Sequence, residues 1–284
     1  MDVPILAVVG AGVMGTGIST LAVGRGLPVV LVDVDEAVLE RARVAIASGL
    51  RHSQLVGALP VGCAPAELRT TVSLDDVAAA GAVIEAVTER AELKAELLAK
   101  VSTLVRPGTA LISNTSGIPI DEMAAGVRRP GDLIGTHFMN PAYLISMVEV
   151  IRGPRTADET VDSVLSLLTR LGRRAVVVRD APGFVTSRLL HPMINDAARV
   201  VSEGTATAEE VDALMQGCLG HPTGPLRTAD LIGIDNLVDA LTVLHARTGD
   251  ERCRPSELLL EKVRRGELGR KSGRGFYVYR EAAS

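Results

Sequence analysis

Two regimes of apolar and polar positions follow one another along the chain. Ile5-Leu-Ala-Val-Val9 is a continuous apolar run, followed by glycine-rich residues and a helical stretch to about Gly24. Val29-Val-Leu-Val32 is a second run, and from Glu36 to about Ser48 charged residues take one helical face and apolar residues the other. Ala82-Val-Ile-Glu85 and Thr109-Ala-Leu-Ile112 predict later strands, with a helix from about Ala91 to Val105 between them. Apolar runs alternating with helical patterns at this spacing predict a doubly wound parallel sheet, covered by helices on both faces.

The pattern shifts after residue 132. Leu133 to Phe138 and Ser146 to Ile151 read as strands, expected to run antiparallel. A helix from Asp158 to Leu171 and the run Ala175-Val-Val-Val178 follow. Beyond Asp180-Ala-Pro-Gly183 the helical stretches are Phe184 to Val201, Thr207 to Leu219, Asp230 to Ala246 and Ser256 to Arg265. The Pro-Gly pair sets the expected boundary: an α/β domain over 1–182 and an all-α C-terminal domain over 183–284.

A length of 284 residues agrees with two domains, and 47% hydrophobic with 23% charged residues excludes disorder, collagen and coiled coil. Net charge is −4 with both signs interspersed, and the aromatic set is three Phe and three Tyr. Neither nucleic acid nor an anionic membrane surface is an expected partner. Cys63, Cys218 and Cys253 show no CxxC or Cys/His spacing, so no metal site is expected and a reducing compartment fits. The apolar start from Val3 to Val23 lacks a basic flank, carries Asp2 beside it and is glycine-rich. It predicts neither a signal peptide nor a membrane helix, and the protein is expected in the cytoplasm.

Gly10-Ala-Gly12-Val13-Met14-Gly15 is a GxGxxG between the first strand and the first helix. In a Rossmann-type fold the first glycine permits the tight turn, the second admits a pyrophosphate to the backbone, and the third lets helix and strand pack closely. The helix N-terminus then offers N–H groups to phosphate. Asp33 ends the second strand eighteen residues after Gly15, where a carboxylate binds a ribose 2′-hydroxyl and repels a 2′-phosphate. The expected cofactor is NAD.

His137 closes one apolar strand and Glu149 interrupts the next, Met-Val-Glu-Val-Ile. A carboxylate in such a run is costly unless paired. An antiparallel pairing would bring Glu149 beside His137, to hold one ring nitrogen while the other exchanges protons. By residue type alone, a satisfied core histidine and a solvent-facing edge glutamate fit equally well. His52, His191, His221 and His245 have no comparable acidic partner in the sequence, and the prolines after His191 and His221 suggest helix boundaries. Ser113-Asn-Thr-Ser-Gly117 would lie at the carboxyl edge of the sheet, either as ligand contacts or as a plain turn.

Together these motifs resemble the L-3-hydroxyacyl-CoA dehydrogenase family, which includes bacterial 3-hydroxybutyryl-CoA dehydrogenases. The likeness runs through Gly10 to Gly17, Asp33, Ile84 to Glu89, Ser113 to Ser116, His137 to Pro141, Val148 to Val150 and Pro182 to Phe184. It continues through Gly220 to Pro225, Asp230 to Asp235 and Gly273 to Tyr277. The resemblance implies an NAD-dependent oxidation of a short 3-hydroxyacyl thioester, with His137 as acid/base, Glu149 as its partner and Ser116 at the substrate. It also implies that Asn140 lines the substrate site and that Asn114, Glu89, Lys94 and Lys271 lie by the cofactor. A homodimer through the helical domain is implied as well.

Several residues depart from that pattern. Ser187 stands where the family has a substrate-holding asparagine, Gly117 replaces a serine, Met139 a phenylalanine and Ser146 a lysine. Between Arg51 and Arg69 there is no other Lys or Arg, where the family carries cations for the nucleotide end of CoA. A phosphopantetheine arm on an acyl carrier protein has a single phosphodiester and needs fewer cations. Relatives in polyketide extender-unit pathways handle small hydroxyacyl groups, such as glyceryl thioesters, in this way. The Asn140-Pro-Ala-Tyr-Leu-Ile stretch is also similar to the L-gulonate dehydrogenase and lambda-crystallin branch, where a free hydroxy acid would need Arg188 or Arg227 for its carboxylate. An idle NAD-binding protein of the same fold would have no reason to keep His137, Glu149 and Ser116 together.

Overall fold

A computed structural model describes residues 5–59 and 64–279; Asp2 and Cys63 lie outside them. The chain divides into two compact units, Met1–Ala181 and Pro182–Ser284.

The first unit carries one eight-stranded sheet. Its elements, in chain order, are β1 (Leu6–Val9), α1 (Val13–Gly24), β2 (Val29–Val32), α2 (Glu36–Leu55) and β3 (Leu68–Thr71). There follow β4 (Ala82–Glu85), α3 (Ala91–Leu104), β5 (Ala110–Asn114), α4 (Ile120–Ala124), β6 (Leu133–Phe138), β7 (Met147–Arg152), α5 (Asp158–Arg170) and β8 (Arg174–Arg179). The strand order is β3-β2-β1-β4-β5-β6-β7-β8. All pairings are parallel except β6–β7, which is antiparallel.

Strands β1, β2, β4 and β5 are buried at every position because helices cover both sheet faces, which explains their unbroken apolar runs. Strand β3 escaped the sequence reading. Leu-Arg-Thr-Thr is polar and half-buried at the sheet edge, so it shows no apolar run. The order reverses between β1 and β4, and ligands of such sheets bind at the strand C-termini beside this switch.

The second unit is helical: α6 (Thr186–Ser202), α7 (Ala208–Leu219), α8 (Pro225–Ile232), α9 (Ile234–Thr248) and α10 (Glu257–Arg264). Its core gathers Ile194, Leu226, Leu237, Leu241, Leu244 and Leu259. The helix expected over Asp230 to Ala246 is two helices, broken where Gly233 takes φ +94°. Pro225 opens the first of them at a position where its missing N–H leaves no helix bond unmade. His191 lies inside α6 with Pro192, not at a helix boundary. His245 does have an acidic partner, since its Nε2 is 3.1 Å from Glu251 Oε1.

Two buried aspartates pin this unit together. Asp212 accepts from Leu226 N, Arg227 N and the Tyr277 hydroxyl, and Asp230 accepts from Phe276 N, Tyr277 N and the Tyr279 hydroxyl. A Cβ on Gly275 would stand 2.0 Å from Asp230 Oδ1, so only glycine lets the C-terminal segment close on this acid. No helix among the described residues is long and apolar enough to cross a membrane.

Candidate active site

The turn after β1 is built as its glycines require. Gly10 takes φ +102°, and a Cβ there would lie 2.7 Å from the Ala86 carbonyl, just past the end of neighbouring β4. A Cβ on Gly15 would fall 1.8 Å from Gly10 O, so the third glycine lets α1 start against the turn. Gly12 differs from both, because nothing lies within 4 Å of an added Cβ. Gly12 caps α1 without any side-chain hydrogen bond, which leaves the amides of Val13, Met14 and Gly15 to a ligand.

Asp33 follows β2 and accepts from Ala11 N at 2.7 Å and from Asp35 N at 3.2 Å. Each oxygen keeps lone-pair capacity for a ribose diol. An open cradle of amides with a fixed carboxylate beyond it fits a dinucleotide, and these residues would hold NAD.

His137 and Glu149 are directly opposed in the β6–β7 register. His137 Nδ1 is 3.1 Å from Glu149 Oε2, with 12% and 6% of the side-chain surfaces exposed. A carboxylate at this distance favours the tautomer with its proton on Nδ1. The next residue, Phe138, donates its N–H to Asn114 Oδ1 at 3.2 Å, so the end of β5 is tied to the strand that carries the histidine.

The ends of β4 and β5 hold a second polar group of residues. Lys94, on α3, has no exposed surface, and its ammonium reaches Glu85 Oε1 and Asn114 O at 2.8 Å and Glu89 Oε2 at 3.3 Å. Ser113 Oγ and Val87 N also donate to Glu85. Burial pushes the Glu85 carboxyl above its ordinary range, against the lowering pull of Lys94, Ser113 and Val87. Glu89 accepts from the Thr115 hydroxyl, Ser116 N and the Ser116 hydroxyl at 2.6, 2.7 and 3.0 Å. A cavity of about 440 Å³ lies between α1 and α2, lined among others by Gly12, Val13, Thr16, Arg41, Asn140 and Tyr143. It brings the Asn140 loop to the dinucleotide turn.

The first unit thus joins Asn114 to the His137 strand, gathers Glu89, Lys94, Asn114 and Ser116 at one edge, and sets Asn140 beside Gly12 and Val13. Ser187 and Lys271 belong to the second unit. Ser187 is buried in the first turn of α6, and Lys271 Nζ is 2.6 Å from Asp235 Oδ2. Lys94 is not a solvated lysine. Glu85 and Thr115 had no role in the sequence reading. Glu85 carries the same signal as Glu149, an acid in an apolar run that burial obliges to find a partner.

Two family profiles match the chain: 3-hydroxyacyl-CoA dehydrogenase, NAD binding domain, over residues 5–181, and 3-hydroxyacyl-CoA dehydrogenase, C-terminal domain, over 183–279. A Deinococcus radiodurans protein named "Probable 3-hydroxybutyryl-CoA dehydrogenase" is 42% identical over 276 residues, 96% of this chain and 99% of that one. The 3-hydroxybutyryl-CoA dehydrogenase of Bradyrhizobium diazoefficiens is 38% identical, covering 98% of this chain and 96% of its own. The crystal structure of (S)-3-hydroxybutyryl-CoA dehydrogenase from Ralstonia eutropha superposes with TM-score 0.89 at 38% identity, covering 99% of this chain and 100% of that one.

Proposed function

Since this chain belongs to the 3-hydroxyacyl-CoA dehydrogenase family and is an NAD-dependent hydroxyacyl dehydrogenase, we propose that it interconverts a short 3-hydroxyacyl thioester with its 3-oxoacyl form through His137. What carries this reading is the His137–Glu149 contact, 3.1 Å long, at the end of the sheet that bears the dinucleotide turn. In oxidation, Nε2 of His137 removes the 3-hydroxyl proton. Glu149 holds the ring by Nδ1–H and stabilises the positive charge it gains. Bound NAD supplies the hydride acceptor for C3. Ser116 and Asn140 orient the substrate oxygens, with Ser187 offering one hydroxyl where relatives use asparagine. Lys271 is assigned to the cofactor side with Glu89, Lys94 and Asn114.

CoA is the carrier in the names of the relatives, and we take it as the first substrate class. A carrier-protein thioester is the second, supported by the absence of Lys and Arg between Arg51 and Arg69. Consumption of NADH with acetoacetyl-CoA and with the matched carrier-protein thioester tests both. Turnover of neither, nor of other short 3-oxoacyl thioesters, ends the proposal, and a strong CoA preference ends the carrier-protein reading.

A homodimer through the helical unit is supported by exposed Leu189 on α6, Leu214 and Leu219 on α7 and Leu231 on α8. Sedimentation of a monomer at enzyme concentrations used in assays would remove it. Among the described residues, the free thiols of exposed Cys218 and buried Cys253 support the cytoplasm as its location.

A further inference from the structure

The loop from Asn140 to Ser146 joins β6 to β7 and brings Asn140 and Tyr143 to the cavity beside the dinucleotide turn. Within it Leu144 N and Ile145 N both donate to Pro141 O, at 3.0 and 3.1 Å. Pro141 to Ile145 is therefore one hydrogen-bonded turn, and Asn140 leads into it. Buried Ala142 packs on α1, where a Cβ on Gly17 would lie 3.6 Å from its own. The Tyr143 ring lies on α2: a Cβ on Gly49 would stand 3.5 Å from Tyr143 Cε1, and the His52 ring meets it edge-on at 6.5 Å.

Hydrogen bonds to this loop come from the turn between α5 and β8. Arg174 N donates to Ser146 O at 2.9 Å, and Arg173 Nη2 donates to Tyr143 O at 2.9 Å. Arg173 is 6% exposed, and its buried Nε has no hydrogen-bond partner among the described residues. Burial, and then the neighbouring Arg25 guanidinium, pull its ionisation below the ordinary range. No carboxylate among the described residues pairs with it. A buried cation beside a like charge and without an anion is costly, and the hold on Tyr143 is what this placement achieves.

We propose that Arg173 is a positioning residue of the active site, setting Asn140 at the substrate by clamping the Tyr143 carbonyl farther along the same turn. The proposal rests on the reading of Asn140 given above, and Arg173 acts through the loop without touching substrate or cofactor.

The test measures kcat/KM on an active 3-oxoacyl thioester, well below the melting range, with NADH affinity from fluorescence. Arg173→Met is expected to lower kcat/KM about five- to tenfold and to change NADH affinity less than about threefold. Arg173→Lys keeps a donor for the Tyr143 carbonyl and should stay within about threefold of the parent. Arg25→Met leaves the clamp intact and should stay within about twofold. Asn140→Ala is expected to lower kcat/KM at least about tenfold, and adding Arg173→Met to it should cost less than about threefold more, because both changes remove one function.

Losses that multiply in the double variant would mean that Arg173 does not act through Asn140, and would overturn the proposal. So would an Asn140→Ala enzyme as active as the parent, or an Arg173→Lys or Arg25→Met enzyme as impaired as Arg173→Met. A loss of NADH affinity matching the loss of kcat/KM overturns it as well. If Arg173→Met does not fold, Arg173→Gln takes its place in the same cycle, and the same outcomes decide. The parent enzyme's turnover of the thioester reports separately on the proposed reaction, so failure of one leaves the other readable.

Discussion

His137 and Glu149 are cross-strand neighbours, the imidazole Nδ1 lying 3.1 Å from the carboxylate Oε2 in the antiparallel β6–β7 pair. The two groups are twelve residues apart, joined by the loop that holds Asn140. Their opposition is set by backbone register and not by flexible side chains reaching across a cleft. His137→Gln is expected to lower turnover by at least about a hundredfold while NADH still binds. Glu149→Gln keeps an acceptor for Nδ1 but loses the charge, and is expected to lower kcat about ten- to a hundredfold. Steady-state kinetics with parallel fluorescence titration measures both.

Gly12 and Gly15 separate two functions of one turn. Gly15→Ala drives a methyl into Gly10 O, so it is expected to lose about 1–3 kcal/mol of stability through forced displacement. Gly12→Ala meets no protein atom within 4 Å and should keep the parent Tm while weakening NADH binding. Thermal melts of the two variants with and without NADH check the contrast, and equal loss of Tm in both would contradict it.

Asp33 is expected to set the preference for NAD over NADP. Its carboxylate is held by Ala11 N and Asp35 N at the end of β2, and a 2′-phosphate there would meet a fixed negative charge. Asp33→Ser removes the repulsion and is expected to shift the NADPH-to-NADH ratio of kcat/KM upward by at least about tenfold, equal to 1.4 kcal/mol. Parallel assays with the two reduced cofactors measure it.

Asp180 titrates against folding. Its Oδ2 accepts from Asp121 N, its buried Oδ1 has no hydrogen-bond partner among the described residues, and burial with the nearby Asp121 and Glu122 carboxylates raises it above its ordinary 3.8. A carboxyl raised on folding stabilises where it is protonated. That stability is complete below about pH 3.8 and is lost as pH rises through the folded value. Asp180→Asn removes the penalty and is expected to stabilise by about 1 kcal/mol at pH 7. The gain in Tm should shrink as the melts are moved to acid pH.

Asp230 ties the last residues of the second unit to α8. It is 1% exposed and receives Phe276 N, Tyr277 N and the Tyr279 hydroxyl, whose own ionisation is pushed up to about 12 by burial and this contact. Asp230→Ala strands two backbone donors and is expected to cost about 2–4 kcal/mol. Proteolysis near residue 270 should accelerate in step with the fall in Tm.

The central strands β1, β2, β4 and β5 and the dinucleotide turn are legible in the sequence because parallel strands covered on both faces must be apolar throughout. The His137–Glu149 opposition is legible for a related reason, since an acid in an apolar strand demands a partner and a neighbouring antiparallel strand supplies one. Lys94 is not legible. It lies in Ala-Glu-Leu-Lys-Ala-Glu, which has the periodicity of a solvated helix face, and only the three-dimensional approach of α3 to the ends of β4 and β5 reveals its burial. Asp212 and Asp230 escape for the same reason, because their partners lie up to 65 residues away. The break at Gly233 was available locally, but apolar periodicity on either side of it reads as one helix.

Strand β8 ends the sheet with one row of backbone donors and acceptors outside the ladder, and Val176 and Val177 are exposed upon it. Arg174 and Arg179 stand at its two ends, both exposed. If two copies met antiparallel along this rim, each Arg174 would face an Arg179 across the seam. Mutual repulsion of these guanidinium groups discourages stacking of copies into ribbons, so a valine-rich border is kept from seeding fibres by the charges that flank it.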